Sequence, residues 1–186
     1  MYRRAAVLSL AGLLLAAAPT AVHTQELAPD RPRPAQQLVD EALAKAKAQQ
    51  KHVLVYFTAS WCGWCHRFQT FLQDPVAGKL MLAHFVPVRL VVQENGDRKA
   101  LENPGGDALL KKMGSTGGIP FYFMLDAAGV KLGDANGLPD GSNIGHPYTA
   151  EEIRAFDVLL GKTAPGMSAA DRAAISAYLT RVAKGS

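Results

Sequence analysis

The run HVLVYFT, residues 52–58, leads within two residues into SWCGWCHRF, residues 60–68. The first stretch is apolar, β-branched and aromatic, and too short for a buried helix. It reads as a central strand covered on both faces. From Trp64 onward, Phe68, Phe71 and Leu72 recur at helical spacing. A strand therefore gives way to a helix inside the segment that holds both cysteines of the chain, Cys62 and Cys65. A strand covered on both faces needs helices above and below it, which points to an α/β layered fold.

The remaining pattern agrees. Residues 36–50 place Leu38, Val39, Ala42, Leu43 and Ala46 on one helical face. Asp74-Pro75 reads as an N-cap followed by a first-turn proline, opening a helix to about 84. FVPVRLVV (85–92) is a second strand, although Pro87 belongs at a strand start or an edge. A polar loop (93–106) and a short helix (107–113) follow. IPFYFML (119–125) and VKL (130–132) flank a turn and predict an antiparallel hairpin. The Gly-, Asn- and Pro-rich segment 133–147 is long for a connection, which suggests function or mobility. Thr149 and Glu152 have capping-box spacing and open a helix with Ile153, Phe156, Leu159 and Leu160 inward, ending at Gly161. Ser168 starts a last helix with Ile175, Tyr178, Leu179 and Val182 on one face. The expected fold is a central mixed sheet of about four to five strands, flanked by helices, with an extra C-terminal helix.

A chain of 186 residues, 48% hydrophobic and 19% charged, suits one folded domain with disorder confined to the ends. Its N-terminus reads as a secretory signal peptide over 1–24. Arg3 and Arg4 form a short basic region, and the uncharged, mostly apolar run Ala5 to Ala18 is shorter than the ~20 residues a spanning helix needs. No stable membrane anchor is expected. Residues 25–35, opening the run LAPDRPRPAQQ, form a flexible lead. Without residues 1–24 the charge is (20 − 2) − 16 = +2, with no basic stripe, so nucleic acid is not an expected partner. Export to a periplasmic or similar compartment would favour disulfides. A bridge across only Gly63 and Trp64 closes too short a loop to add much stability, so it makes more sense as chemistry than as a staple.

Four chemistries fit two cysteines at this spacing. Zinc takes about four ligands, and Cys62, Cys65 and His66 supply three at best, so no metal is expected. Cys-Gly-Trp-Cys-His matches the haem-attachment pattern in letters. A haem also needs an apolar cavity, a distal ligand and a mostly helical wrap, which a buried strand ahead of the motif does not suggest. Two inert buried thiols are the bland alternative. The fourth is a redox dithiol. A helix N-terminus carries unpaired N–H groups and about half a positive charge, which stabilises a thiolate there. On this reading Cys62, the more exposed, attacks a partner's disulfide, and Cys65, tucked beneath, resolves the mixed disulfide. His66 is either a solvated first-turn residue or a charge that tunes the thiolate. His52, His84 and His146 are unclustered and read as structural or solvated.

VLVYFTASWCGWC resembles the active-site strand and turn of the thioredoxin superfamily, and GGIPFYFML resembles its second signature. The similarity covers about residues 36–160, leaving 162–186 as a C-terminal helical extension to a domain spanning 36–161. It implies Cys62 as nucleophile, Cys65 as resolving thiol, Pro120 in a cis bond facing the dithiol, and Ile119 offering its backbone to a substrate chain. Trp61, Gly63 and Trp64 surround the sulfurs and complete the expected substrate contacts. The resemblance implies thiol–disulfide exchange on protein thiols and disulfides, leaning to reduction, without a cofactor. A membrane-embedded thiol carrier is the expected electron donor. The alternative is a thioredoxin-shaped binding module whose dithiol does not turn over. Tyr56 departs from the pattern: cytosolic members carry a buried Asp six residues before the nucleophile. Water or Arg89 would have to compensate, and Arg89 cannot take a proton. An extra residue before Ile119-Pro120 and the 133–147 segment are further departures.

Overall fold

A computed structural model describes residues 31–185 of the chain. The expected signal peptide, 1–24, lies outside the described residues, as do residues 25–30 of the lead. The chain is tied down by Arg33, whose carbonyl accepts from Asn103 Nδ2 at 2.8 Å, and by Ala35, whose N–H donates to Pro104 O at 2.9 Å.

Four strands form one mixed sheet in the order β2-β1-β3-β4. β1 (His52–Thr58) lies inside it, parallel to β2 (Phe85–Val91) and antiparallel to β3 (Tyr122–Leu125), which pairs with β4 (Lys131–Asp134). Every residue of β1 after His52 is buried, as its unbroken apolar run requires. β2 is an edge strand rather than a fully covered one, and Pro87 and Arg89 are exposed on it. That resolves the proline, whose missing donor costs nothing on the unpaired side.

Among the described residues, six α-helices accompany the sheet: α1 (Ala35–Gln49), α2 (Gly63–Gln73), α3 (Ala77–His84), α4 (Gly106–Lys112), α5 (Ala150–Thr163) and α6 (Ala169–Lys184). α1 packs on β1 and β2 through buried Val39, Ala42 and Ala46. Side chains alternate along the paired strands, so each face has its own aromatic cluster. On one face Phe57 meets Phe121 and Phe123. On the other, Phe68 of α2 stacks on Tyr122 with centroids 4.9 Å apart. Phe71 joins this second cluster against Phe156 of α5 and Tyr178 of α6. α6 thus buries Ile175 and Leu179 in the common core.

Several boundaries move for identifiable reasons. The ladder expected from residue 119 begins at Tyr122, because Pro120 has no N–H to donate. Before it, Phe121 O accepts from Phe57 N–H at 2.9 Å. α3 starts at Ala77 rather than Pro75. Asp74 Oδ1 accepts from the N–H groups of Val76 and Ala77 at 2.9 and 2.7 Å, so Pro75 sits in the turn it spans. A 3-10 helix (Gly96–Leu101) occupies part of the expected polar loop. α5 runs past Gly161 to Thr163, and its capping box at Thr149 and Glu152 is complete.

α2 and α3 meet backbone to backbone at Gly78. A Cβ there would lie 2.4 Å from the carbonyl oxygen of Leu72. We expect Gly78→Ala to destabilise the protein by about 2–3 kcal/mol, as overpacking of a rigid contact does. Urea denaturation checks this, and an unchanged midpoint would show the two helices able to separate freely.

Candidate active site

β1 delivers the chain into a tight turn in which the N–H of Cys62 donates to Ala59 O at 3.1 Å. Cys62 is then the N-cap residue of α2, extended at φ −86° and ψ 99°. Its sulfur accepts the N–H of Cys65 at 3.1 Å. The same N–H also donates to Cys62 O at 3.1 Å, so this donor of the first helical turn is shared between the sulfur and the carbonyl oxygen of the N-cap residue. The two cysteines are joined as a disulfide with Cα atoms 5.2 Å apart.

The expected contrast between an exposed and a buried sulfur is narrower than anticipated. Cys62 is 5% exposed and Cys65 1%. Ala59 and Ile119 cover the pair, and the carbonyl oxygen of Ile119 lies 3.4 Å from Cys62 Sγ. The Ile119–Pro120 bond is cis. Gly63 occupies the first position of α2, where a Cβ would meet nothing within 4 Å. Neither packing nor backbone geometry demands glycine there.

The tryptophans differ. Trp61 is exposed, but its Nε1 donates to Gln93 O at 2.7 Å. Trp64 is also exposed and forms part of a wall. Its ring stacks on His146 at 6.2 Å, meets Tyr148 edge-on at 5.2 Å, and lies 5.1 Å beneath the Arg67 guanidinium. This wall borders a cavity of about 270 Å³ lined by Trp64, Ile119, Pro120, Ile144, His146 and Tyr148. The structure thus places the other five sequence-predicted residues, Trp61, Gly63, Trp64, Ile119 and Pro120, beside the Cys62–Cys65 disulfide or the cavity next to it. His146, read as unclustered, belongs beside them because the long connection folds back over α2.

Residues 34–127 match a family described as thioredoxin-like. The chain belongs to the thioredoxin-like family. No curated protein matches it in sequence. Among solved structures, it is similar to a disulphide isomerase from Xylella fastidiosa Temecula1 (21% identity, 80% of this chain, 90% of that one, TM-score 0.47). A thioredoxin from Thermus thermophilus matches at 26% identity over 73% and 92%, with a TM-score of 0.43. The C-terminal domain of Neisseria meningitidis DsbD in the oxidised form matches at 21% over 56% and 84%, with a TM-score of 0.40. With its bonded Cys-x-x-Cys pair on a thioredoxin-like sheet, the chain is a thiol–disulfide oxidoreductase. The family match ends before the 133–147 segment, so the His146 and Tyr148 wall lies outside it.

Two features of this thioredoxin-like site had weak sequence signals. The first is a clamp behind the turn. Glu94 is only 3% exposed. Its carboxylate accepts from the N–H of Ser60 and from Ser60 Oγ, both at 2.7 Å. Ser60 Oγ accepts in turn from Arg98 Nη1 at 2.8 Å, and Ser60 O lies 2.9 Å from His66 Nε2, which must carry a proton to donate. His66 is thus exposed but engaged with the turn. In sequence, Glu94 looked like one polar loop residue among many.

The second is the environment beneath the wall. Tyr56 is 7% exposed, and burial raises its hydroxyl pKa against the opposing pull of Arg89, which it faces across β1 and β2. It supplies no base at neutral pH. Burial, helped by Arg67 and opposed by Glu152, lowers the His146 pKa from 6.5 to about 4. Nδ1 of His146 is buried without a hydrogen-bond partner. The unfolded chain therefore binds a proton between pH 6.5 and 4 that the folded one refuses, and stability falls as pH is lowered through that window. The loss is of order 3 kcal/mol at its limit. Urea midpoints between pH 7 and 4 should show this decline, flattened in His146→Phe. An equal decline in the variant would assign it to other groups.

Proposed function

We propose that the chain is an exported reductase of protein disulfides, with Cys62 as nucleophile and Cys65 as resolving thiol. The observation that carries this reading is the Cys65 N–H on Cys62 Sγ at the head of α2. In the reduced protein the same N–H would meet a thiolate, a charge-assisted bond stronger than the neutral one. The reducing direction rests on the likeness of Trp61-Cys62-Gly63 to the reducing members of the superfamily.

The chemistry balances without a cofactor. The Cys62 thiolate attacks one sulfur of the partner's disulfide, a mixed disulfide forms, and the partner's other sulfur leaves as thiolate. Cys65 loses its proton and attacks Cys62 Sγ. The internal disulfide forms and the partner's second sulfur leaves. Two electrons pass from this protein to the partner. An exported reductase then needs renewal by an external dithiol, and a membrane-embedded thiol carrier is the donor class we propose. Residues 36–161 would form the exchange domain and 162–186 its helical extension.

The partner chain would lie along Ile119 and Pro120, between Trp61 and Trp64, with Gly63 leaving room above the sulfurs. The cavity beside Pro120 has apolar and aromatic walls from Trp64, Ile119, Pro120, Ile144 and Tyr148, with His146, Thr149 and Glu152 as polar neighbours, a mixed lining that suits a polypeptide side chain next to the reacting cysteine. Trp64→Ala should slow turnover of protein disulfides more than of a small aromatic disulfide. Equal slowing of both would remove Trp64 from substrate binding.

In insulin reduction with dithiothreitol, Cys62→Ser should fall to background. Cys65→Ser should accumulate a mixed disulfide visible on a non-reducing gel. A Cys62→Ser protein as active as wild type would favour a binding module instead. Equilibration with glutathione buffers tests direction: a potential near that of the strong protein oxidants, about −120 mV, would overturn the reductase reading.

A further inference from the structure

The buried carboxylate of Glu94 lies outside the exchange steps above, yet it is tied by two hydrogen bonds to the turn that carries Cys62. Both of its oxygens are engaged by Ser60, one by the backbone N–H and one by the hydroxyl. Its own N–H donates to Glu102 Oε1 at 2.7 Å. Gln93, the residue before it, holds Trp61 through its carbonyl and adopts φ +54°. Left-handed backbone is uncommon for a non-glycine residue. The segment after β2 therefore grips two consecutive residues, Ser60 and Trp61, immediately before the nucleophile.

We propose that Glu94 is a positioning residue for the redox pair, whose fixed negative charge behind the Cys62 turn makes the dithiol a stronger reductant. The inference deepens the exchange reading and rests on it.

The reasoning follows the charges of the two redox states. Reduction by glutathione converts one internal disulfide and two glutathione thiols into the dithiol and one glutathione disulfide, with two electrons transferred. Only the reduced protein carries an anionic sulfur at Cys62. A carboxylate fixed nearby raises the free energy of that state and leaves the disulfide state untouched, so the dithiol gives up its electrons more readily. Burial makes the charge act over a longer range than it would in water.

Other charges face the same region. Arg98, exposed, donates to Ser60 Oγ from the solvent side and opposes Glu94. Arg89 and His66 line a cavity of about 260 Å³ that Glu94 shares. Asp97 borders the groove on the Trp61 side, and Glu102 accepts from the Glu94 backbone. Arg98 is joined to Glu94 through the shared Ser60 hydroxyl, so removing it should act with the opposite sign to removing Glu94.

Glu94→Gln keeps size and shape. Its amide oxygen can still accept from Ser60 N–H, and its amide nitrogen can donate to Ser60 Oγ. Equilibrated with glutathione buffers, Glu94→Gln should favour the dithiol about tenfold more than wild type, equivalent to about 30 mV less reducing. The pH dependence of Cys62 alkylation should shift to lower pH alongside. Arg98→Met, at an exposed position, should not follow it and should move the other way. The inference is overturned if Glu94→Gln stays within about twofold of wild type, moves toward stronger reduction, or shifts together with Arg98→Met. A wild-type protein that never equilibrates with glutathione would overturn the exchange reading and this inference together. One that does equilibrate, with unresponsive variants, overturns this inference alone.

Discussion

The contact on which the rest of the structure depends is the hydrogen bond from the N–H of Cys65 to the sulfur of Cys62. It requires Cys62 to be extended while Cys65 is already helical, so the change from strand to helix has to fall between them. β1 enforces the first half by staying buried to its last residue before the chain turns at Ala59. α2 enforces the second half because Cys65, Phe68, Phe71 and Leu72 form its buried face. Phe68 and Phe71 are in turn held by Tyr122, Phe156 and Tyr178 from β3, α5 and α6. Packing spread over three later elements of the chain therefore fixes the direction of one N–H group. Aligned peptide dipoles at the same helix end favour negative charge there, so one geometry serves both the cap and the thiolate.

What the sequence made legible was local. The apolar run of β1, the helical spacing after Trp64, and the Thr149–Glu152 capping box each announce themselves within a few residues, and each is present. The position of Cys62 at a strand–helix junction followed from two such signals abutting. What escaped were contacts made across long separations. Glu94 meets Ser60 over 34 residues, and nothing in the run QENGDRK distinguishes a buried carboxylate from a solvated one. His146 reaches Trp64 only because the connection after β4 folds back, and a single histidine among Gly, Asn and Pro carries no periodicity to show it. Pro87 was a partial exception. Its missing donor argued for an edge, and β2 lies at one.

Charge is distributed unevenly around the pair. Tyr56, at the position where the resemblance implies a carboxylate, is buried, and burial raises its hydroxyl pKa, so it stays protonated at neutral pH. In front, His146 remains neutral at pH 7, so the Trp64 wall carries its positive charge on Arg67. Behind, the carboxylate of Glu94 has both oxygens committed to Ser60. Held this way by Ser60, the carboxylate is poorly placed to serve as a base for Cys65. On the exchange reading proposed above, the proton of Cys65 can pass to solvent or to the thiolate that the partner has just released. The second is already within the complex when Cys65 must attack, and a departing alkyl thiolate is basic enough to accept it. On the same reading, resolution of the mixed disulfide is linked to the partner's own leaving sulfur.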